Sequence, residues 1–299
     1  MVQDHFLDQI DHLTVWKNGS KRAPHKPLLL LLALGRLSQG QDSLQFSECE
    51  IKLTELLREF GPSGKSYHPE YPFWRLQNDG LWKVESTIPL APRQSNTDPP
   101  KSQLRLGNAV GSFTNQVRLK LLNNPSLIGE AAKRLLTSHF SETLHQDILD
   151  SVGLSIEPAS AAQRRRDPQF RSRVLIAYEY SCALCGLDLR IGNVTIALEA
   201  AHIHWHQAGG PDTASNGIAL CSLHHKLFDL GAFTIHTDYR ILVSEQAHGA
   251  GQFEQVLLRH HGQQIRHPSR PEHVPLQKHI DWHRREVFKE GVRFLDGVA

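Results

Sequence analysis

Hydrophobic positions along the chain alternate between helical and strand-like spacing. Residues 5–16 carry apolar side chains three or four positions apart, which predicts a short amphipathic helix. The run LLLLLALGRL after Pro27 predicts a buried helix that begins at this proline and ends near Gly40. Residues 47–60 predict a second amphipathic helix, with Ser47 as its N-cap.

The following segments predict strands, a loop and further helices. Residues 67–85 predict short strands around an Asn-Asp-Gly turn. Residues 91–107 are rich in Pro, Ser and Asn, which predicts an exposed loop or a linker. Residues 113–150 return to helical spacing, with Asn124 or Ser126 as an N-cap.

The best candidate for a domain boundary is the segment 156–172, which combines proline, small residues and an arginine run. A chain of 299 residues is long enough for two cores, so we expect domains at 1–155 and 173–299. The arginines at the boundary favour phosphate contacts or simply a solvated face.

Composition narrows the class of protein. Hydrophobic residues make up 39% and charged residues 21% of the chain, as in ordinary soluble proteins. The apolar runs are too short to span a membrane, and the acidic N-terminus does not resemble a signal peptide, so a cytoplasmic location is expected. A net charge of +2 still allows local basic patches that bind DNA.

Two short motifs predict a structural metal site. Cys182 and Cys185 form a C-x-x-C motif followed by Gly186, and Cys221 and His224 form a C-x-x-H motif about 35 residues later. Two such turns supply the four ligands of a tetrahedral Cys₃His zinc site. The other interpretations of the C-x-x-C motif alone are a redox pair or two buried thiols. The histidine after His224 is the alternative fourth ligand.

The residues between these two motifs resemble the HNH endonuclease family. The resemblance covers roughly residues 178–235 and consists of A-H-I at His202, a G-G pair, N-G-I-x-L-C from Asn216, and H-x-x-F-D-x-G from His225. It implies a ββα-metal fold in which His202 is the general base, Asn216 orients it, and His225 binds the catalytic metal. A neutral imidazole suits the deprotonation of water, and Mg²⁺ or Mn²⁺ suits the charge that develops on the phosphate.

One position departs from the family pattern. Many HNH proteins have an acidic residue or a histidine directly before the first histidine, whereas this chain has Ala201. Glu199 shares the face of Ala201 on a strand and is predicted as the second ligand of the catalytic metal. Asp212 and Asp229 are weaker candidates. Four other histidines are interpreted as surface or hydrogen-bonded residues: His204, His206, His236 and His248.

Two N-terminal segments carry candidate DNA contacts. The basic turn from Arg22 to Pro27 precedes a buried helix, which favours phosphate binding. The aromatic segment 67–77 contains Arg75, although its aromatic residues alone favour a small core around Trp74 and Trp82.

Taken together, the segments PHKPLLLLLALGRL and HPEYPFWRLQ resemble the sulfur-binding domain of phosphorothioate-dependent McrA-type restriction enzymes, over roughly residues 1–150. The resemblance implies that Tyr71 and Pro72 contact the sulfur atom and that His25 and Lys26 contact DNA. A larger, less hydrated sulfur atom would favour such an apolar surface. The arginines expected to assist are Arg22, Arg75, Arg93 and Arg105.

The sequence therefore predicts an α+β protein: a mainly helical N-terminal domain that reads DNA, followed by a ββα-metal nuclease domain with a zinc knuckle. The predicted function is that of a type IV restriction-like endonuclease that acts on phosphorothioate-modified double-stranded DNA. A homodimer is expected because cutting both strands usually requires two active sites. The alternatives are an HNH nuclease for another DNA mark or pathway and a catalytically dead HNH regulator that binds DNA.

Overall fold

The structure, a computed structural model, describes residues 5–15, 21–93, 98–156 and 167–294. The chain divides into two compact units, residues 1–162 and 163–299. The domain limits drawn from the sequence stay predictions, because residues 157–166 of the expected linker lie outside the described residues. Within the described ranges, no helix is both long and apolar enough to cross a membrane.

The N-terminal unit is built mainly of helices around one central helix. The helix α2 (His25–Ser38) is apolar on all sides, and its leucines are buried, as expected for a helix surrounded by others. A Cβ atom at Gly35 would lie 2.1 Å from the carbonyl oxygen of Val152, so a glycine is needed for this close approach. The described helices are α1 (His5–Asp11), α2 (His25–Ser38), α3 (Phe46–Phe60), α4 (Glu70–Arg75), α5 (Lys101–Leu106), α6 (Asn115–Asn123), α7 (Ser126–His139) and α8 (His145–Val152).

A small antiparallel sheet completes this unit. Its strands are β1 (Leu44–Gln45), β2 (Trp82–Glu85) and β3 (Val110–Phe113), in the order β1-β3-β2. Trp82 is buried and packs edge-on against the rings of Phe73 and Phe113. This contact confirms the core role predicted for Trp82.

Several N-terminal elements differ from the prediction. The helix α2 begins at His25, and Pro27 lies in its first turn, where its missing N–H group costs no intrahelical hydrogen bond. Ser47 is not the N-cap of α3, because that helix begins one residue earlier. Likewise, α7 begins at Ser126 with a proline at its N-cap.

Two segments have the wrong predicted type. Residues 70–75 form α4 instead of a strand, and residues 101–106 form α5 inside the predicted loop. The aromatic residues of segment 67–77 suggested a strand, but Pro69 and Pro72 fall at the N-cap and in the first turn of α4, where proline favours helix initiation. The strand β2 and the turn at Gly80 (φ +73°) are confirmed.

The C-terminal unit is a series of hairpins packed against helices. Its helices are α9 (Pro168–Ala177), α10 (Ser222–Asp229), α11 (Phe253–Val256) and α12 (Gln277–Glu286). The hairpins pair β4 (Arg190–Ile191) with β5 (Val194–Thr195), β6 (Leu198–His202) with β7 (Gly217–Cys221), and β8 (Phe233–Ile235) with β9 (Ile241–Val243).

The second of these hairpins, with α10 directly after it, forms the predicted ββα unit. In its register, His202 at the end of β6 faces Gly217 at the start of β7. A Cβ atom at Gly217 would lie 2.3 Å from Val174 and 3.1 Å from Phe170, so a glycine lets α9 pack closely on the hairpin. This packing places the ring of Phe170 beside the predicted catalytic histidine.

Candidate active site and nucleic-acid interface

Three cysteines and one histidine form a largely buried cluster, contributed by the turn after α9, the end of β7 and the start of α10. The ligand atoms of Cys182, Cys185, Cys221 and His224 all lie within 4.8 Å of one another. His224 Nδ1 is 3.1 Å from Cys221 Sγ and 3.7 Å from Cys182 Sγ, and its Nε2 is 2.8 Å from the carbonyl oxygen of Val256. A proton donated to that carbonyl leaves Nδ1 as the metal-binding nitrogen.

The donor set fits Zn²⁺. Hydrogen bonds with the Cys185 and Cys221 thiols hold the pKa of the Cys182 thiol far below its usual range, which favours the thiolate that binds metal. Gly186, directly after the C-x-x-C turn, has φ +76°, a conformation that glycine adopts without strain. The cluster thus has the ligand types of a closed structural zinc site, and a backbone carbonyl contacts the far nitrogen of its histidine.

The predicted base, His202, is fixed by a ring and a carboxylate. The rings of Phe170 and His202 are stacked, with centroids 3.9 Å apart and an interplanar angle of 11°. His202 Nε2 lies 2.7 Å from Asp212 Oδ1. When Nε2 donates its proton to this carboxylate, the lone pair of the neutral ring is on Nδ1, and Nδ1 is then the nitrogen that can accept a proton.

Asp212 is itself held in place by the backbone. Its Oδ2 accepts a hydrogen bond from the Asp167 N–H group at 3.1 Å, and its own carbonyl oxygen accepts one from Arg173 at 2.8 Å. Burial raises the pKa of Asp212, but the hydrogen bonds from Asp167 and His202 outweigh this effect and the pKa is lowered. Asp212 is therefore a carboxylate that can stabilise a protonated His202.

Asn216 fixes the loop between the two strands. Its Oδ1 accepts a hydrogen bond from the His204 N–H group, and its Nδ2 donates to the carbonyl oxygens of His204 and Pro211, each at 2.9 Å. These three bonds join both ends of the loop that starts after His202. The structure therefore connects Asn216 to His202 through the backbone of this loop, and the resemblance implied that Asn216 orients His202.

The predicted metal ligand, His225, lies between two carboxylates on the β6–α10 face. Its Nδ1 is 2.7 Å from Glu199 Oε2, and its Nε2 is 3.3 Å from Asp229 Oδ2. Asp229 also accepts a hydrogen bond from Trp205 Nε1 at 2.9 Å, and Glu199 accepts one from Ser222 at 2.6 Å. Burial lowers the pKa of His225, but the two carboxylates outweigh it and raise the pKa to about 9.

This group fits a divalent cation. Glu199 and Asp229 offer carboxylate oxygens as ligands. A divalent cation could neutralise these two negative charges, which a protonated His225 neutralises only in part. The assignment of His225 and Glu199 to the catalytic metal stays a prediction. Asp229, only a weak candidate from the sequence, is in direct contact with this group because α10 places it four residues after His225.

The predicted sulfur contacts lie on the short helix α4. Tyr71 stacks on the ring of His68 with centroids 4.8 Å apart, and the guanidinium groups of Arg75 and Arg93 lie 4.6 and 5.7 Å from the centre of its ring. Tyr71 is half-buried, whereas Pro72 is buried. The structure thus gathers an aromatic face and two cations around Tyr71.

Buried acids hold these cations in position. Arg75 Nε and Nη2 donate to Asp98 Oδ2 at 2.8 and 2.5 Å, and the Asp98 side chain is only 1% exposed. Arg93 pairs with Glu70 at 3.2 Å. His68, Glu70 and Asp98 were not selected from the sequence, since their role depends on contacts that no local motif encodes.

The other predicted DNA contacts have different surroundings. His25 lies in the first turn of α2, where burial and the nearby His68 lower its pKa. Lys26 is largely buried and lies 2.5 Å from Asp79, and Arg22 donates to the carbonyl oxygen of Phe60 at 2.5 Å. Arg105 is exposed and pairs through two hydrogen bonds of 2.8 Å with a carboxylate on α3. The DNA-contacting roles of these residues stay predictions.

Comparison with known families covers both halves of the chain. Residues 3–157 match the family model described as ScoMcrA-like, DNA sulfur-binding domain, and residues 182–236 match an HNH endonuclease model. No curated protein matches the chain.

Solved structures resemble parts of the chain. The sulfur-binding domain of ScoMcrA complexed with phosphorothioated DNA is 21% identical with a TM-score of 0.44, covering 51% of this chain and 97% of that chain. The corresponding SprMcrA domain, also complexed with phosphorothioated DNA, is 23% identical with a TM-score of 0.42, covering 50% and 92%. The type IV phosphorothioation-dependent restriction endonuclease ScoMcrA is 21% identical with a TM-score of 0.42, covering 50% of this chain and 32% of that chain.

These TM-scores are below 0.5, so the assignment depends on the family models. The first model spans just over half of the 299 residues, and the second spans the ββα unit together with all four residues of the zinc cluster. The protein belongs to the ScoMcrA-like DNA sulfur-binding domain family and carries an HNH endonuclease domain in its C-terminal half.

Proposed function

We propose that this protein is a modification-dependent, type IV restriction-like endonuclease that binds phosphorothioate-modified double-stranded DNA and hydrolyses its phosphodiester bonds. The observation that carries the proposal is the presence, in one chain, of a sulfur-binding domain and an HNH domain with an intact base–carboxylate pair, His202 and Asp212. A histidine paired with a carboxylate is the arrangement that general-base catalysis uses.

Recognition of the modification is assigned to the surface around Tyr71. A phosphorothioate sulfur is larger, more polarizable and less hydrated than oxygen, so contact with an aromatic face favours it over oxygen. Arg75 and Arg93 lie beside the same ring and would neutralise the remaining charge of the phosphate group. Since Pro72 is buried, its expected role is to pack beneath Tyr71, and Tyr71 offers more surface to the sulfur atom.

Hydrolysis is assigned to the ββα unit. His202 Nδ1 accepts a proton from water while the water oxygen forms a bond to phosphorus and the bond from phosphorus to the leaving oxygen breaks. The Asp212 carboxylate stabilises the imidazolium that results. Phe170 and the loop held by Asn216 keep the ring in place.

A divalent cation such as Mg²⁺ or Mn²⁺, when bound, would neutralise charge on the phosphate and the leaving oxygen. His225 and Glu199, with Asp229 beside them, would hold it. The zinc cluster would support the same strands and α10 without contacting the substrate.

Cleavage of matched duplexes tests this function. Duplexes with one phosphorothioate and randomised flanking bases are compared with their oxygen counterparts, in the presence of Mg²⁺ or Mn²⁺. We expect cutting of the sulfur-bearing duplexes and at least about tenfold slower cutting of the oxygen duplexes. Equal cutting of both would contradict recognition of sulfur, and binding without cutting would indicate a regulator that has lost catalysis.

Two variants locate the two activities. His202→Ala should bind sulfur-bearing DNA normally and cut about 10² to 10⁴ times more slowly, because it lacks the base. Tyr71→Ala should reduce the preference for sulfur about tenfold in a binding assay, whereas Tyr71→Phe, which keeps the ring, should retain it.

A further inference from the structure

The loop after β6 brings a second histidine to the base–carboxylate pair. His206 begins a short 3₁₀ turn four residues after His202, and its Nδ1 lies 3.3 Å from the same Asp212 oxygen that His202 contacts. The imidazole nitrogens of both histidines and the carboxylate oxygen all lie within 4.8 Å of one another. From the sequence, His206 was interpreted as a surface or hydrogen-bonded histidine.

His206 Nδ1 has no hydrogen-bond partner although it is shielded from solvent. Within the described residues, it is one of the buried side-chain nitrogens that neither donate nor accept a hydrogen bond. A shielded imidazole nitrogen that makes no hydrogen bond and lies near a carboxylate and a second imidazole has the surroundings of a metal ligand. The nitrogens of two zinc ligands are separated by about 3.4 Å, so a small movement of the three side chains would complete the site.

We propose that His202, His206 and Asp212 form an inhibitory metal site for Zn²⁺ or a similar borderline cation, separate from both the cysteine cluster and the His225 group. Two imidazoles and one carboxylate match the ligand preference of zinc, iron or nickel better than that of Mg²⁺, which prefers oxygen ligands. The inhibitory role rests on the proposed function, because the metal would bind His202, the proposed general base.

Inhibition follows from the two nitrogens of the His202 ring. In the active arrangement, Nε2 carries the proton and donates it to Asp212, so that Nδ1 can accept a proton from water. A cation bound to Nε2 requires the lone pair of that nitrogen, and the remaining proton of the neutral ring is then on Nδ1. A ring in this state cannot deprotonate water at Nδ1, and Asp212 is no longer its partner.

Zinc binding can be measured separately from cleavage. The full chain with its cysteine cluster filled is dialysed against Zn²⁺, in the His225→Ala background to remove the neighbouring metal group. We expect one additional bound zinc, whose affinity falls at least about tenfold in His225→Ala/His206→Ala. The matched control His225→Ala/His236→Ala removes an exposed histidine paired with Asp238 and should keep the additional zinc. No additional zinc, or equal affinity with and without His206, would overturn the site.

Cleavage then tests the inhibitory role. With Mg²⁺ or Mn²⁺ present, added Zn²⁺ should slow the cutting of sulfur-bearing DNA by the wild-type chain. The zinc concentration for half inhibition should rise at least about tenfold in His206→Ala, with each variant compared with its own zinc-free rate. Acceleration by zinc, or identical inhibition of both, would refute the inhibitory role. A chain that never cuts would refute the proposed function and leave the dialysis result to decide the site.

Discussion

Two adjacent histidines on α10, His224 and His225, lie in chemically opposite surroundings. His224 faces three cysteine sulfurs, with a backbone carbonyl behind it. His225 faces the carboxylates of Glu199 and Asp229. Because successive helical residues point about 100° apart, one helix serves both a thiolate cluster and an oxygen-rich group. The two imidazoles therefore differ in the donor atoms around them, sulfur at His224 and carboxylate oxygen at His225.

Loss of the thiolate cluster should have the largest effect. In Cys182→Ser, the zinc site loses one of its four ligands, and structural zinc contributes on the order of 10 kcal/mol to the folding of small domains. We expect the C-terminal unit to lose zinc, to unfold at ordinary temperature and to stop cutting DNA. Zinc analysis and thermal unfolding measure this result.

A second cysteine variant controls for the loss of a buried thiol. Cys49 is buried in α3 of the other unit, and Cys49→Ser should keep one equivalent of zinc. Normal zinc content and an unchanged melting temperature in Cys182→Ser would refute the structural role of the cluster.

The carboxylate beside His202 should have the next largest effect. Asp212→Asn keeps the size of the side chain and removes the charge that stabilises a protonated His202. We expect kcat to fall by about 10² or more, with unchanged KM, unchanged melting temperature and normal binding to sulfur-bearing DNA. A drop in melting temperature that accounts for the lost activity would show that Asp212 has a structural role instead.

The carboxylate beside His225 should have a smaller effect that added metal can reverse. Glu199→Gln should weaken the activating effect of Mg²⁺ or Mn²⁺ by about 10- to 100-fold, so that cutting recovers when the metal concentration is raised. Glu272→Gln, at an exposed carboxylate on the surface of the same unit, should leave the metal requirement unchanged. A metal requirement identical in both variants would remove Glu199 from the proposed metal group.

The sequence was most informative where the chemistry is local. The zinc cluster follows from two short turns, and His202, Asn216 and His225 follow from one motif, so their residues could be named in advance. The partners Asp212 and Asp229 could only be weak candidates, because their contacts depend on how a loop and a helix pack against β6. The motif predicts the central residues of the candidate site, and the fold shows which carboxylates contact His202 and His225.

The N-terminal unit was less predictable for the same reason. A sequence shows that Lys26 and Arg105 are basic, but it does not show that Asp79 and Glu50 already neutralise them. In α4, the aromatic composition suggested a strand, whereas the positions of its prolines determined a helix. Charge and composition describe single residues, and DNA contacts depend on what those residues face.

A third histidine, His279, extends the comparison to a buried ring that makes no hydrogen bond among the described residues, and its loss should have the smallest effect. It is 3% exposed, neither ring nitrogen has a hydrogen-bond partner among the described residues, and the centroid of its ring lies 5.8 Å from that of His204. Burial lowers its pKa to about 4, with smaller contributions from His204 and Lys278. The unfolded chain, where histidine has a pKa near 6.5, therefore takes up a proton between pH 6.5 and 4 that the folded chain does not. Stability should fall as the pH decreases through this range, by at most about 1.4 kcal/mol per pH unit for one proton.

His279→Leu should flatten this acid-dependent loss in urea unfolding measured from pH 7 to 4, and the exposed-site variant His236→Leu should not. If stability depends on pH equally in His279→Leu and in the wild-type chain, His279 takes up its proton in the folded protein as well. Burial without a partner would then not keep an imidazole neutral, and the contrast with His224 and His225 would fail.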